Sequence, residues 1–204
     1  MTDLAINRGK ICRPTTDFIY VGNVSHDICD KLTEMWHKSD EINLWKVHGM
    51  SGSYICPDEV NPEVKESMDV CIPPGYMHPT VEQYYKELWG VIGDYTKIFP
   101  FAEFSSFSIK DDMQIQWYPK GGGFKVWHCE RSNSHLSQIA RHLVFMTYLN
   151  DVPNGGTEWF HQEKYVDAVK GATVIWPADW CFTHRGRVTQ EHEKMIITGW
   201  LQYD

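Results

Sequence analysis

The chain has 204 residues, 42% hydrophobic and 23% charged, enough for one compact domain with a sizeable core. Nineteen Lys and Arg against 27 Asp and Glu give a formal charge of −8, an acidic balance that disfavours nucleic acid as a partner. No stretch reaches the roughly 20 apolar residues of a membrane span.

MTDLAINRGKICRPTTDF has no apolar secretory core. The six cysteines, at 12, 29, 56, 71, 129 and 181, form no CxxC pair and read as reduced thiols, so a cytoplasmic protein is expected. Residues 18–24, FIYVGNV, are a short apolar run, and Ser25 follows as an N-cap. Ile28, Leu32, Met35 and Trp36 then recur at helical spacing, which predicts an amphipathic helix over 26–38. Segment 39–79 is punctuated by Gly, Pro and Ser and reads as loops and short strands of undetermined order. Thr80 with Gln83 resembles a capping box, opening a second helix whose buried stripe is Val81, Tyr84, Leu88, Val91 and Tyr95 and which Pro100 stops.

From residue 104 the period changes to two. In MQIQWY (113–118), Met113, Ile115 and Trp117 share one face and Gln114, Gln116 and Tyr118 the other, separating a packed layer from a polar interior. Further strands are predicted at 124–129, 141–149, 165–169, 172–176 and 194–202, with turns at GGG (121–123), PNGG (153–156) and Pro177. No repeat or linker interrupts the sequence. A single domain over 1–204 is expected, with helical and irregular support in 1–103 and a β-core in 104–204. The class is α+β, mainly β, with helices packed on an antiparallel sandwich or barrel.

The strand-rich half holds the chemistry. His128 and Glu130 form an H-x-E whose side chains share a face if the segment is extended, and His184 follows in CFTHRG. Two imidazoles and a carboxylate on one side of a metal leave the other side open, the facial arrangement of non-haem Fe(II) oxygenases. An H-x-E arises often by chance, and surface or core residues compete with this reading. Lys194, ten positions after His184, opens the apolar run KMIITGWL, where a buried ammonium is costly unless an anion meets it. Tyr118 sits on the polar face of its strand, ten residues before His128. A strand-edge charge and a core aromatic are the plainer accounts of these two.

In order and spacing, QIQWYPKGGGFKVWHCE, RHLVFMTYLNDVPNGGTEWF, GATVIWPADWCFTHRG and EKMIITGWL resemble Fe(II)/2-oxoglutarate dioxygenases of the prolyl 4-hydroxylase type from about 111 to 202. The resemblance implies a double-stranded β-helix, or jelly-roll, core supported by N-terminal helices. It implies His128, Glu130 and His184 as catalytic Fe(II) ligands, Lys194 and Tyr118 as partners of the distal carboxylate of 2-oxoglutarate, and Thr157 as a supporting cosubstrate residue. Glu130 stands where the family usually has Asp, and the GGG turn is one residue longer. Fe(II), 2-oxoglutarate and O2 are the implied cofactors, with ascorbate as an accessory reductant.

The implied reaction hydroxylates an unactivated C–H of a prolyl or other peptidyl residue, or of a small molecule, with release of succinate and CO2. The alternatives are a cupin-like metal enzyme that does not use 2-oxoglutarate and a non-catalytic β-barrel binding module. Trp127, Trp159, Trp176 and Trp180 flank the motifs; barrel packing is expected for at least two of them, and a groove lining for the others. Arg185 and Arg187 are expected to be solvated.

Overall fold

The computed structural model describes residues 17–50, 59–132 and 136–204. The N-terminal stretch with Cys12, and residues 51–58 with Cys56, lie outside them. In sequence order come strand β1 (Tyr20–Asn23), helix α1 (His26–His37), strands β2 (Lys46–His48), β3 (Lys65–Glu66) and β4 (Met68–Ile72), and helix α2 (Pro79–Ile98). Then follow β5 (Phe107–Ile109), β6 (Met113–Tyr118), β7 (Gly123–Phe124), β8 (Arg141–Tyr148), β9 (Val152–Trp159), β10 (Lys164–Ala168), β11 (Ala172–Pro177), β12 (His184–Gly186) and β13 (Lys194–Tyr203).

Two sheets face one another as in a jelly roll. The major sheet runs β1-β11-β8-β13-β6-β4-β2, with β5 also paired to β13, and the minor sheet runs β10-β9-β12. All these pairings are antiparallel. β8 and β13 read as nearly continuous apolar runs because both of their faces are covered. Leu143, Phe145, Ile197 and Leu201 pack with α1 and α2, while Val144, Met146, Ile196 and Trp200 face the minor sheet with Val152, Trp159 and Val166. Gly199 makes this possible on β13: a Cβ there would lie 2.4 Å from Cζ of Phe145, its partner across the ladder.

The helices form as their spacing predicts. The Ser25 side chain accepts from the Ile28 amide, and Ile28, Cys29, Leu32, Met35 and Trp36 are buried. On α2 the whole expected stripe is buried, and the helix ends two residues before Pro100. Its cap differs from expectation. His78, not Thr80, caps the helix, its Nδ1 accepting from the Thr80 amide with Pro79 in the first turn. Gln83 instead bonds Asp27, Lys31 and Glu87, tying α2 to α1.

Two further corrections concern the β-half. The predicted strand 124–129 shrinks to Gly123–Phe124 plus a lone bridge between His128 and His184. No continuous ladder forms, because Lys125 N bonds Val64 O while Glu130 N bonds Ala178 O, on two different neighbours. The predicted PNGG turn lies inside β9. Asn154 adopts a left-handed φ of 58°, and the pairing with β10 shifts register between Val166 and Ala168, so a bulge absorbs the turn-forming residues. Gly156 lets the strands close there, since a Cβ would lie 1.9 Å from Val166 O. The unordered segment 39–79 contributes β4, which pairs with β6 and widens the major sheet.

Candidate metal centre

His128 and His184 exchange backbone hydrogen bonds of 3.0 and 2.8 Å, which sets their side chains side by side between the sheets. Each ring is fixed the same way. His128 Nδ1 lies 2.9 Å from Val126 O, and His184 Nδ1 lies 2.9 Å from Phe182 O. A carbonyl only accepts, so both Nδ1 atoms carry protons and both Nε2 atoms keep their lone pairs. Phe124 stacks on the His128 ring at 3.6 Å, and Trp176 meets the His184 ring edge-on at 5.0 Å.

Glu130 completes the group. Its Oε1 lies 3.6 Å from His128 Nε2 and 3.4 Å from His184 Nε2, and one ligand atom from each of the three residues falls within 4.8 Å of the others. Its Oε2 is held from behind, accepting from Trp200 Nε1 at 3.0 Å and from the Arg141 guanidinium at 3.4 Å. Arg141 is itself stacked on Trp200, 3.6 Å from the ring centroid. The Trp200 indole N–H and the Arg141 guanidinium, both donating to Oε2, favour the ionised form of the Glu130 carboxyl. Burial, with the neighbouring His184, pushes the His128 imidazole down. Neutral imidazole and ionised carboxylate are the protonation states in which these groups bind a cation. The donor set, two nitrogens and one oxygen presented from one side, fits a ferrous ion with positions left for other ligands.

The three residues line a cavity of about 300 Å³ together with Tyr118, Thr157 and Lys194, so all six predicted site residues share one space. Lys194 and Tyr118 are directly opposed in the β13–β6 ladder, with Lys194 Nζ 5.3 Å from the phenol ring centroid. Lys194 is 4% exposed, and Nζ donates to Gly155 O at 2.8 Å and Arg187 O at 3.2 Å. Neither is an anion, and burial pulls its pKa down to about 8. Burial pushes the Tyr118 phenol well up. Thr157 Oγ1 accepts from the Tyr148 hydroxyl at 2.8 Å, and Tyr148 also lines the cavity.

Sequence reasoning missed Arg141, Trp200 and Tyr148. The signal for Arg141 was present, since it opens the apolar run RHLVFMTYL as Lys194 opens KMIITGWL. Trp200 follows from alternation, which puts Lys194, Ile196, Thr198 and Trp200 on one face of β13, and all four line the cavity. Trp159 and Trp176 are buried as packing residues, whereas Trp127 and Trp180 are exposed. Arg185 and Arg187 keep 40% and 46% of their side-chain surface exposed, as expected, and also donate to Glu158, at 2.6 and 2.9 Å, and stack on Trp127 and Tyr165.

Residues 113–202 match the family model of the 2OG-Fe(II) oxygenase superfamily. Over that segment the protein is similar to this superfamily. Its cofactor is Fe(II) and its cosubstrates are 2-oxoglutarate and O2, which sets aside the cupin-like and non-catalytic alternatives. The fold is shared with solved prolyl hydroxylases. A viral collagen prolyl hydroxylase from Paramecium Bursaria Chlorella virus-1, in complex with 2OG, is 15% identical with a TM-score of 0.68, covering 93% of this protein and 98% of that one. A Pseudomonas putida prolyl-4-hydroxylase is 16% identical with a TM-score of 0.65, covering 93% and 94%. A Trichoplax adhaerens prolyl hydroxylase, in complex with a hypoxia inducible factor oxygen degradation domain peptide fragment, is 14% identical with a TM-score of 0.69, covering 92% and 84%. No match was found among curated proteins. Among the described residues, no helix of this oxygenase is long and apolar enough to cross a membrane.

Proposed function

We propose that this oxygenase hydroxylates an unactivated C–H with His128, Glu130 and His184 as its iron ligands and Lys194, Tyr118 and Thr157 around 2-oxoglutarate. The observation that carries the assignment is that one small cavity contains both the triad and a buried ammonium bonded to carbonyls, with no carboxylate against it among the described residues. A buried lysine in that state lacks a counter-charge, and the distal carboxylate of 2-oxoglutarate supplies one.

The protein's own groups set the geometry. The backbone carbonyls of Val126 and Phe182 aim the two Nε2 atoms, while Trp200 and Arg141 hold Oε2 and leave Oε1 to face the metal. Lys194 fixes the far end of the cosubstrate, and the Tyr118 hydroxyl turns its one proton from Gln116 Oε1 to the same carboxylate when 2-oxoglutarate binds. Trp176 and the Tyr148–Thr157 pair close the wall and exclude water. Bound Fe(II) supplies dioxygen activation, coupling decarboxylation of 2-oxoglutarate to insertion of one oxygen atom into substrate. The balance is R–H + O2 + 2-oxoglutarate giving R–OH + succinate + CO2.

Two substrate classes stand at this point. The structural neighbours, a collagen prolyl hydroxylase and a peptide complex among them, support a prolyl or other peptidyl residue. The small cavity volume supports a small molecule. A cytoplasmic setting belongs to the same reading, supported by free Cys29, Cys71, Cys129 and Cys181.

The test is Fe(II)-dependent succinate release from 2-oxoglutarate, with 2-oxoglutarate as the varied component. Lys194→Met is expected to raise the KM for 2-oxoglutarate at least about tenfold while kcat changes less, because it removes a contact made equally in ground and transition states. An unchanged KM in that variant overturns the lysine's role.

A further inference from the structure

The cavity extends beyond the residues assigned to iron and cosubstrate. From Tyr118 its wall runs along the polar face of β6 to Gln116 and Gln114, across the sheet to Asp69 on β4, and on to Lys65 of β3, which pairs with β7. The Tyr118 hydroxyl donates to Gln116 Oε1 at 2.5 Å, and Gln116 Nε2 donates to Gln114 Oε1 at 2.7 Å and reaches Asp69 Oδ2 at 3.5 Å. Lys65 Nζ donates to Asp69 Oδ2 at 2.7 Å, with side chains 6% and 4% exposed. Asp69 Oδ1 is enclosed and has no hydrogen-bond partner among the described residues.

Stability does not account for this arrangement. A buried ion pair loses several kcal/mol of hydration per ion, and apolar replacements of the same volume are often neutral or stabilising. Here the pair is also incomplete. One carboxylate oxygen is unmatched, and of the three ammonium protons one is used on Asp69. Asp69 and Lys65 both line the cavity, so its wall carries an anionic acceptor beside a cationic donor.

The complement of that wall is a group carrying a cation and an anion side by side. An α-ammonium next to an α-carboxylate has this form. An internal peptide residue does not, having one neutral N–H and one neutral C=O in their place. A cavity near 300 Å³, at the lower end of small-molecule sites, also suits a compact molecule beside the cosubstrate.

We propose that Asp69 and Lys65 are the head-group subsite for a free α-amino acid, Asp69 receiving its ammonium and Lys65 its carboxylate, with hydroxylation at a C–H farther along the amino acid. The assignment rests on the oxygenase reading above and narrows its substrate to a zwitterionic small molecule. The reaction keeps the same balance, R–H being the amino acid.

Calorimetry on the Fe(II)- and 2-oxoglutarate-loaded protein under anaerobic conditions provides the test, titrating the twenty free L-amino acids and their N-acetyl methylamide derivatives. At least one free amino acid is expected to bind, with its capped form at least tenfold weaker. In Asp69→Asn, of nearly the same volume, binding is expected to fall at least tenfold. The capped-ligand comparison needs no variant and stands if Asp69→Asn fails to fold. Absence of binding by every free amino acid, or equal binding of the capped form, overturns the proposal, as does unchanged affinity in a folded Asp69→Asn. Succinate release by the wild type in the absence of any amino acid reads the iron and cosubstrate site separately, so loss of that signal marks failure of the oxygenase reading itself.

Discussion

On the helix-facing side of the major sheet, Met113, Ile115, Leu143, Phe145, Ile197 and Leu201 pack in one apolar cluster with α1 and α2. One residue along the same strands, on the opposite face, Gln114, Gln116, Arg141, Lys194 and Thr198 line the cavity. The two faces share a backbone and a hydrogen-bond ladder, yet their physics differs. The first face gains stability from each group it removes from water, roughly 1.5–3 kcal/mol for a fully buried aliphatic residue. The second buries ammonium, guanidinium and carboxylate groups that lose hydration there, and ligands recover that loss. A strand with period-two alternation can therefore carry stability and chemistry on separate residues, and substitutions should separate them.

The largest effect is expected at the triad. Glu130→Ala removes the carboxylate ligand and leaves Trp200 Nε1 and the Arg141 guanidinium without their shared acceptor. Iron-dependent succinate production should fall by more than the 10–100-fold typical of losing an outer-shell partner. The helix-facing cluster should persist, with a near-native circular dichroism spectrum. If turnover survived in Glu130→Ala, the metal would have to be sought elsewhere.

Leu88→Ala tests the other face. Leu88 is fully buried on α2, and truncation should cost about 2–5 kcal/mol through lost burial and a residual cavity. Its midpoint in urea should drop while the KM for 2-oxoglutarate, measured well below the transition, stays within about twofold of wild type. A matching rise in KM would show that the two faces are mechanically coupled.

How much of this contrast the sequence carried depends on the range of each signal. Alternation in MQIQWY separates the two faces of β6 by itself, and helical spacing places the α2 stripe, because both are local periodicities. Lys194 was legible as a charge at the foot of an apolar run. Asp69 was not, since it lies in a short strand among loop-like residues, and its partner Lys65 comes from a two-residue strand that exists only because β7 lies beside it. Strand β9 was hidden by Pro153, Asn154 and the two glycines, whose turn chemistry is local while the bulge that accommodates them is set by β10. The cap of α2 was misplaced for a similar reason: Thr80 and Gln83 match a capping box, but Pro79 fixes the first turn and lets the His78 ring reach the Thr80 amide.

Trp200→Phe sharpens the cavity face alone. The indole N–H donates to Glu130 Oε2 at 3.0 Å, and phenylalanine keeps much of the packing while deleting that donor. Arg141 still contacts the same oxygen, at the longer distance of 3.4 Å. Iron affinity should weaken by about tenfold, near the lower end for such partners, with little change in the urea midpoint. Equal iron affinity in the two proteins would show that Arg141 suffices to hold the carboxylate.

The smallest and most graded effect is in pH. Burial lowers the Lys194 pKa from 10.5 to about 8 in the folded protein. Between those values the unfolded state binds a proton that the folded state has released, so this group makes stability rise with pH across that window. Cosubstrate binding runs the opposite way, because a carboxylate needs the ammonium form. Below pH 8 the Kd for 2-oxoglutarate should be nearly flat; above it the Kd should climb, approaching about tenfold per pH unit. Tyr118, whose phenol burial pushes well up, stays protonated throughout and adds no inflection. Lys194→Met should bind weakly at every pH and lose the upward bend. Since the same proton makes stability rise while affinity falls, calorimetry and urea titration on one pH series should bend in opposite directions at one place. A wild-type affinity profile that stays flat to about pH 9.5 would separate Lys194 from the cosubstrate carboxylate.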